Sequence, residues 1–288
     1  MARVPRTLHY VFGLKQQIIA FHPLHWLAIE SARQMLKPDQ IILYYHHLPY
    51  GYYWDLVRPF LRLVRVELVS EVSEARYDEA LVPEKYRYAH HADVIRLDAL
   101  LEHGGIYADI DTLFLKPLPE AFYAEPFVIS EEAPVKDEVS GQMRPSLCNA
   151  VMVAEPGSQF VREWRARIGQ AINGTWSNHS CLLARLLADE FPDAVRIEPA
   201  ASLLGVPFTP EGLRDLLEND SLDVADSYCL HLWQHVWWEY ERQDFSRVHS
   251  GEITLDFLRN ADVSLARLAR PFLPDVDLSQ LGPSVEIN

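Results

Sequence analysis

Asp109 and Asp111 stand two residues apart in the string Gly-Gly-Ile-Tyr-Ala-Asp-Ile-Asp-Thr at positions 104–112. In extended chain, residues i and i+2 project to the same side, so the two carboxylates face one way. Paired carboxylates are hard oxygen ligands that suit Mg²⁺ or Mn²⁺. An ion held by few protein groups keeps open positions, and phosphate oxygens can take them. An Asp-x-Asp triplet alone is a weak signal, because short acidic pairs are commonly solvated turns. Its surroundings are more specific. An apolar helical segment stops at Gly104-Gly105, a three-residue apolar run follows, and the acidic pair comes directly after it. In an open α/β sheet, ligands bind in the loops beyond the carboxyl ends of strands. Asp93 and Arg96 lie three apart on the preceding helical segment and share a face. Such a pair is usually a surface ion pair worth little. Here its helix leads into the acidic turn, so the two groups can reach a ligand and fix hydroxyls such as those of a sugar ring.

The rest of the chain supplies elements to position these groups. Residues 8–12 read as a strand ending at Gly13, and 25–36 as a helix stopped by Lys37-Pro38. Residues 41–45 read as a second strand, 52–63 as a helix broken near Pro59, and 64–69 as a third strand. That β-α-β-α-β order predicts parallel strands covered by helices. Residues 88–103 form the clearest helix, with Val94, Ile95, Leu97, Leu100 and Leu101 on one broad face. His90 and His91 at its start read as surface residues. A short strand at 106–108 precedes the acidic pair. Further strands are predicted at 127–130, 150–154, 195–198 and 227–232, with helices at 159–172 and 181–191. His179 and Ser180 open the last of these helices and read as facing the acceptor side. Neither repeats nor a low-complexity linker divide the chain, so residues 1–270 read as one domain and 271–288 as an irregular tail.

Composition narrows the class. With 288 residues, 49% of them hydrophobic, the chain can bury a sizeable core. Its net charge of −15 repels nucleic-acid backbones and disfavours nucleic acid as a partner. An anionic substrate then needs a metal or a few placed basic groups. Cys148, Cys181 and Cys229 form neither a disulfide framework nor a zinc pattern, and they suit a reducing, cytoplasmic setting. No signal peptide is read at the start of the sequence, and no stretch nears the roughly 18 apolar residues of a membrane span.

The central segment resembles the DXD-containing sugar-binding region shared by glycosyltransferase family 32 and the clostridial glucosylating toxins. The resemblance rests on Ala92-Asp93, Arg96-Leu97, Gly104-Gly105-Ile106-Tyr107, Asp109-x-Asp111 and Lys116-Pro117-Leu118. Outlying agreement comes from Leu8-His9-Tyr10-Val11-Phe12-Gly13, Cys148-Asn149-Ala150 and His231-Leu232-Trp233. It implies an α/β GT-A fold, Rossmann-like and nucleotide-sugar-binding, as a single domain with helical additions. It also implies a UDP-sugar or GDP-sugar donor, Mn²⁺ or Mg²⁺, a retained anomeric configuration, and a glycan or lipid-linked acceptor. By position, Val11 and Phe12 line the nucleobase pocket, with Phe12 standing where relatives often carry Trp. Asp93 and Arg96 hold the donor sugar, and Asn149 touches it. Tyr107 belongs to the donor site, and Asp109 serves both donor and metal. Asp111 ligates the metal directly. His231 offers a further ligand, although a histidine between leucines on a strand is more often a core residue. Trp233, Trp237 and Trp238 read as packing and lid residues, with Trp233 also placed to cover the diphosphate. The setting implied is polysaccharide biosynthesis, with peripheral membrane association compatible.

Two other readings compete. Asp109-Ile110-Asp111-Thr112 also matches the nucleophile motif of haloacid-dehalogenase-like phosphatases, with Asp109 as nucleophile. That motif normally follows a full hydrophobic strand near the N-terminus, and its later paired acidic motif is missing here. A sugar-binding module or inactive relative that retains donor binding is the non-enzymatic alternative.

Overall fold

The structure is a computed structural model that describes residues 3–79 and 81–274. The chain alternates strand and helix at first: β1 (Thr7–Val11), α1 (Pro23–Leu36), β2 (Gln40–Tyr45), α2 (Tyr52–Val57), β3 (Leu61–Arg65) and a short α3 (Ser70–Ser73). Then come α4 (Tyr88–His103), β4 (Gly105–Ala108), β5 (Thr112–Phe114), β6 (Phe127–Lys136) and β7 (Met143–Ala154). Helices α5 (Gln159–Ala171) and α6 (Leu183–Glu190), strand β8 (Arg196–Glu198), helices α7 (Ala200–Leu203) and α8 (Pro210–Leu217), and strand β9 (Cys229–His231) follow.

Seven strands make one sheet in the order β3-β2-β1-β4-β7-β6-β8. Strands β1 to β4 are mutually parallel, the expected β-α-β arrangement. Strand β7 runs antiparallel to both neighbours, so the sheet is mixed rather than wholly parallel. The strand order reverses between β1 and β4, a topological switch point of the Rossmann type. A crevice therefore opens beyond the carboxyl ends of β1 and β4, where Phe12 and Asp109 follow.

Apolar layers cover both faces of the sheet. One contains Leu24, Leu27 and Ile29 of α1 with Leu213 and Leu217 of α8. The other contains Val94 and Leu97 of α4 with Phe160 and Trp164 of α5. α4 is buried on more than its apolar face. His90 and His91 are 1% and 7% exposed, which corrects their reading as surface residues. The segment before α4 covers them: Val69 N–H donates to His91 Nδ1 at 3.0 Å, and the Tyr77 hydroxyl pairs with His90 Nδ1 at 2.9 Å.

The end of α4 sets the position of the acidic pair. Gly104 and Gly105 have φ of 61° and 106°, backbone that side chains rarely adopt. A Cβ at Gly104 would lie 2.6 Å from Pro156 N, and one at Gly105 would lie 2.3 Å from Thr7 O. The chain can thus turn straight from α4 into β4 and slot between β1 and β7.

Some boundaries differ from expectation. The third strand is Leu61–Arg65, because Pro59 ends α2 in a 3-10 turn and the chain extends at once. Strands β6 and β7 run to 10 and 12 residues. The outer part of β6 is largely exposed and carries Pro134 and charged residues, while β7 opens with the exposed Met143, Arg144 and Pro145 and then buries the mixed polar and apolar run Ser146 to Asn149, so apolar patterning finds only the inner ends of both strands. Asn178–Leu182 form a π-turn ahead of α6. The tail expected over 271–288 falls largely on 275–288, outside the described residues. No helix among the described residues is long and apolar enough to cross a membrane.

Candidate active site

Beyond β4 the chain makes a tight turn: Asp109 N–H donates to Ala150 O at 2.8 Å and Thr112 N–H to Asp109 O at 3.0 Å. β5 then pairs antiparallel with β9, placing Thr112 opposite His231. This small second sheet carries a side chain from the last strand back to the acidic turn. His231 Nε2 lies 3.3 Å from Asp111 Oδ1 and 3.9 Å from Asp109 Oδ2. One ligand atom from each of the three residues falls within 4.8 Å of the others. Asp111 Oδ2 accepts from Gln234 N–H at 3.0 Å, which fixes the carboxylate. Asp111 is 8% and His231 6% exposed.

Burial acts to raise the Asp111 carboxyl, but His231 and the Gln234 N–H outweigh it and hold the group at about 2. Burial acts to lower His231, yet Asp111 and Asp109 together keep it above its ordinary range. The His231 imidazole shares a buried pocket with two carboxylates, and its Nδ1 has no hydrogen-bond partner among the described residues. Two carboxylates and an imidazole converging on one point fit a divalent ion.

Arg96 joins this cluster to α4. Its Nη2 lies 3.2 Å from Asp109 Oδ1 and 3.1 Å from Asp93 Oδ1. Its Nη1 donates to Asn149 O at 2.7 Å, and the guanidinium sits 4.5 Å over the Tyr107 ring. The Tyr107 hydroxyl donates to Asp109 Oδ1 at 2.6 Å. Asn149 Nδ2 donates to Asp93 Oδ1 at 2.8 Å, and His179 Nε2 to Asp93 Oδ2 at 3.0 Å. Burial acts to raise Asp93, but Arg96 and His179 outweigh it and hold the carboxyl at about 2. The register of β6 on β7 shifts between Val128, opposite Val153, and Ser130, opposite Cys148. Asn149 lies in that irregular stretch, where a bulge can redirect a side chain.

Phe12 packs beside Phe21 and His25, with ring centroids 5.2 and 4.7 Å away. His25 Nε2 donates to Gln234 Oε1 at 3.1 Å, so the Phe12 cluster adjoins the residue that anchors Asp111. Val11 is buried in the α4 layer, on the opposite face of the sheet from the Phe12 cluster. Trp233 lies behind His231: their rings are 4.1 Å apart, and its Nε1 donates to Val206 O at 2.9 Å. At 5% exposure it packs as a core residue and offers little face with which to cover a diphosphate. Trp237 is fully buried and packs, whereas Trp238 stacks on His25 at 5.3 Å.

A family model described as the glycosyltransferase sugar-binding region containing DXD motif matches residues 25–132, the span that holds Asp93, Arg96, Asp109 and Asp111. Glucan organizing enzyme 1 of Cryptococcus neoformans var. grubii serotype A is 30% identical over 283 residues, covering 95% of this chain and 72% of that protein. This chain belongs to the DXD glycosyltransferase family. Similar solved structures include PaToxG glycosyltransferase, 16% identical, covering 66% of this chain and 70% of that one with a TM-score of 0.43. Another is the galactosyltransferase LgtC in complex with donor and acceptor sugar analogues, 11% identical, covering 93% of this chain and 98% of that one with a TM-score of 0.49.

The glycosyltransferase has the α/β, GT-A-type architecture expected of it: one mixed sheet, a Rossmann-like β1–β4 half, and the acidic motif directly after β4. Its Asp-Ile-Asp-Thr string is a DXD motif, which removes the ground for a phosphatase with Asp109 as nucleophile. Sequence reading missed His25 and Gln234, which brace Asp111, and assigned His179 to the acceptor side. His179 is fully buried on Asp93 instead. Gln234 directly follows the His-x-Trp segment, the one local signal that could have marked it. His25 and His179 meet their partners only through the fold.

Proposed function

We propose that this glycosyltransferase moves a sugar from a nucleotide-sugar donor to a hydroxyl of a glycan or lipid-linked acceptor, with retention of anomeric configuration. UDP-sugars are favoured over GDP-sugars as donors. The observation that carries the reading is the convergence of Asp109, Asp111 and His231 on one point, with Arg96 tying that point to Asp93. Asp109, Asp111 and His231 would hold Mn²⁺ or Mg²⁺. When bound, such an ion supplies Lewis-acid stabilisation of charge on the departing diphosphate.

The protein's own groups do the rest. Phe12 presents a ring to the nucleobase, with Val11 adjoining it at the end of β1. Arg96 presents its charge at the junction of sugar and diphosphate while fixing both Asp93 and Asp109. Tyr107 holds Asp109 in one orientation. Asn149 and Asp93 together orient the donor sugar. Trp233 braces His231 from behind. Asp93 is already tied to three donors, which makes it a poor nucleophile. That supports same-face attack, with the leaving phosphate accepting the proton of the acceptor hydroxyl.

A panel of UDP- and GDP-sugars, assayed for hydrolysis and transfer with Mn²⁺, Mg²⁺ or chelator, tests the reading. Metal-dependent turnover of a UDP-sugar with a retained anomeric product supports it. Donor binding without turnover would identify an inactive sugar-nucleotide-binding relative, and an inverted product would overturn the same-face mechanism. The proposal extends to residues 1–270 as one catalytic domain acting in polysaccharide biosynthesis.

A further inference from the structure

We propose that His179 is a positioning residue of the donor site, setting how Arg96 is shared between Asp93 and Asp109. This inference rests on the glycosyltransferase reading of those residues. Arg96 brings one positive charge to two carboxylates, at 3.1 and 3.2 Å from a single nitrogen. A shared donor of that kind is balanced only if each anion has other support. Asp109 has the Tyr107 hydroxyl. Asp93 Oδ1 has Asn149, and Asp93 Oδ2 has only His179 among the hydrogen bonds and ion pairs of the described residues.

The cost of keeping His179 argues that it serves this contact. The ring is fully buried, and its Nε2 must carry a proton to meet the carboxylate. Its Nδ1 then has no partner among the described residues, a penalty an apolar residue of similar size would avoid. The surroundings hold the ring firmly. The His90 ring lies edge-on at 4.2 Å, and Trp164 Nε1 donates to the His179 carbonyl at 3.0 Å. The π-turn Asn178–Leu182 places His179 against α4. Without the imidazole, Asp93 would draw Arg96 toward itself and loosen the hold on Asp109. A residue 70 positions after Asp109 therefore acts on the DXD motif through Asp93 and Arg96.

The test is a double-mutant cycle on the full chain. Donor kcat/KM and the Mn²⁺ activation constant are measured for wild type, His179→Ala, His179→Gln, Asp93→Asn and the double variant His179→Ala/Asp93→Asn. His179→Ala should lower donor kcat/KM by about tenfold to a hundredfold, the usual worth of a hydrogen bond to a buried charge. His179→Gln, which can still donate, should recover most of the loss. On the Asp93→Asn background, His179→Ala should cost less than about twofold, since coupled residues are non-additive. Unchanged kinetics in His179→Ala, or full additivity, would overturn the proposal. If His179→Ala folds poorly, His179→Gln decides: a loss as large as that of Asp93→Asn, in a variant with wild-type melting behaviour, would overturn it too. A wild-type chain that neither binds nor turns over any nucleotide sugar would overturn the underlying glycosyltransferase reading, a distinct outcome visible before any variant is made.

Discussion

Arg96 Nη2 stands 3.2 Å from Asp109 Oδ1, a contact that fastens the middle of α4 to the acidic turn after β4. Arg96 is 4% exposed, so its charge and those it pairs with are largely removed from water. Breaking a buried pair leaves an uncompensated charge and costs about 3–5 kcal/mol. Arg96→Ala should therefore lower stability by roughly that amount and abolish detectable transfer. Arg96→Lys should restore part of the stability and little of the activity, because one ammonium cannot reproduce the several directed contacts of the guanidinium. Denaturant midpoints beside donor kinetics check this, and an active Arg96→Lys enzyme would contradict it.

His231 reaches the acidic pair only because β9 pairs with β5. If it is a ligand, His231→Ala should weaken Mn²⁺ affinity at least about tenfold while leaving the fold intact. Manganese titration monitored by donor hydrolysis reads the effect directly. An unchanged activation constant would reduce His231 to a core residue packed on Trp233.

Glycine at 105 is required by the approach of β4 to β1. A Cβ there would lie 2.3 Å from Thr7 O, at a φ of 106°. Gly105→Ala should destabilise the protein by about 1–3 kcal/mol or more, through backbone strain and displacement of β4. It should also reduce activity, since the acidic turn starts at the end of that strand. Equal stability in urea melts would show that β4 can shift at no cost.

Acid should unfold the protein early. Burial, the largest cause in each case, lowers His9 to about 4, His22 to about 3 and His90 to about 3. In the unfolded chain these imidazoles take up protons near pH 6.5. Below that pH the unfolded state binds more protons than the native state, so stability falls as pH falls. The loss should begin below about 6.5 and continue toward 4, on the order of 1–2 kcal/mol per histidine at pH 5. Asp93, held at about 2, adds a second loss once pH drops below its ordinary value of 3.8. Denaturant midpoints from pH 7.5 to 4.5 measure the histidine loss and an extension to pH 3 the Asp93 loss, and a flat profile above pH 4.5 would contradict the burial of neutral imidazoles.

Local patterning reveals some of this molecule well and some not at all. α4 is legible to the residue, because apolar periodicity fills it and Gly104-Gly105 ends it. β1 and β2 are legible as short apolar runs. The acidic turn is legible because its chemistry and its context are adjacent in sequence. The outer part of β6 and the first three residues of β7 are exposed, and the buried run Ser146 to Asn149 mixes polar and apolar residues, so these stretches lack the apolar pattern by which strands are read. His90 and His91 look like surface residues from the helix alone, and become buried only when the chain from Val69 to Tyr77 and the π-turn close over them. His179 meets Asp93 from 86 residues away, and Gln234 meets Asp111 from 123. Pairings at that range are products of the topology, and no local spacing announces them.

The most direct test of the central claim is the melting temperature of the full chain with a panel of nucleotide sugars, with and without Mn²⁺, beside Asp111→Asn. A ligand that binds only the folded state raises the melting point by mass action. The predicted result is stabilisation by a UDP-sugar that requires Mn²⁺ and disappears in Asp111→Asn, whose own melting point without ligand stays near that of wild type. Stabilisation that ignores the metal, or that survives in Asp111→Asn, would contradict the assignment of the acidic turn as the metal and diphosphate site.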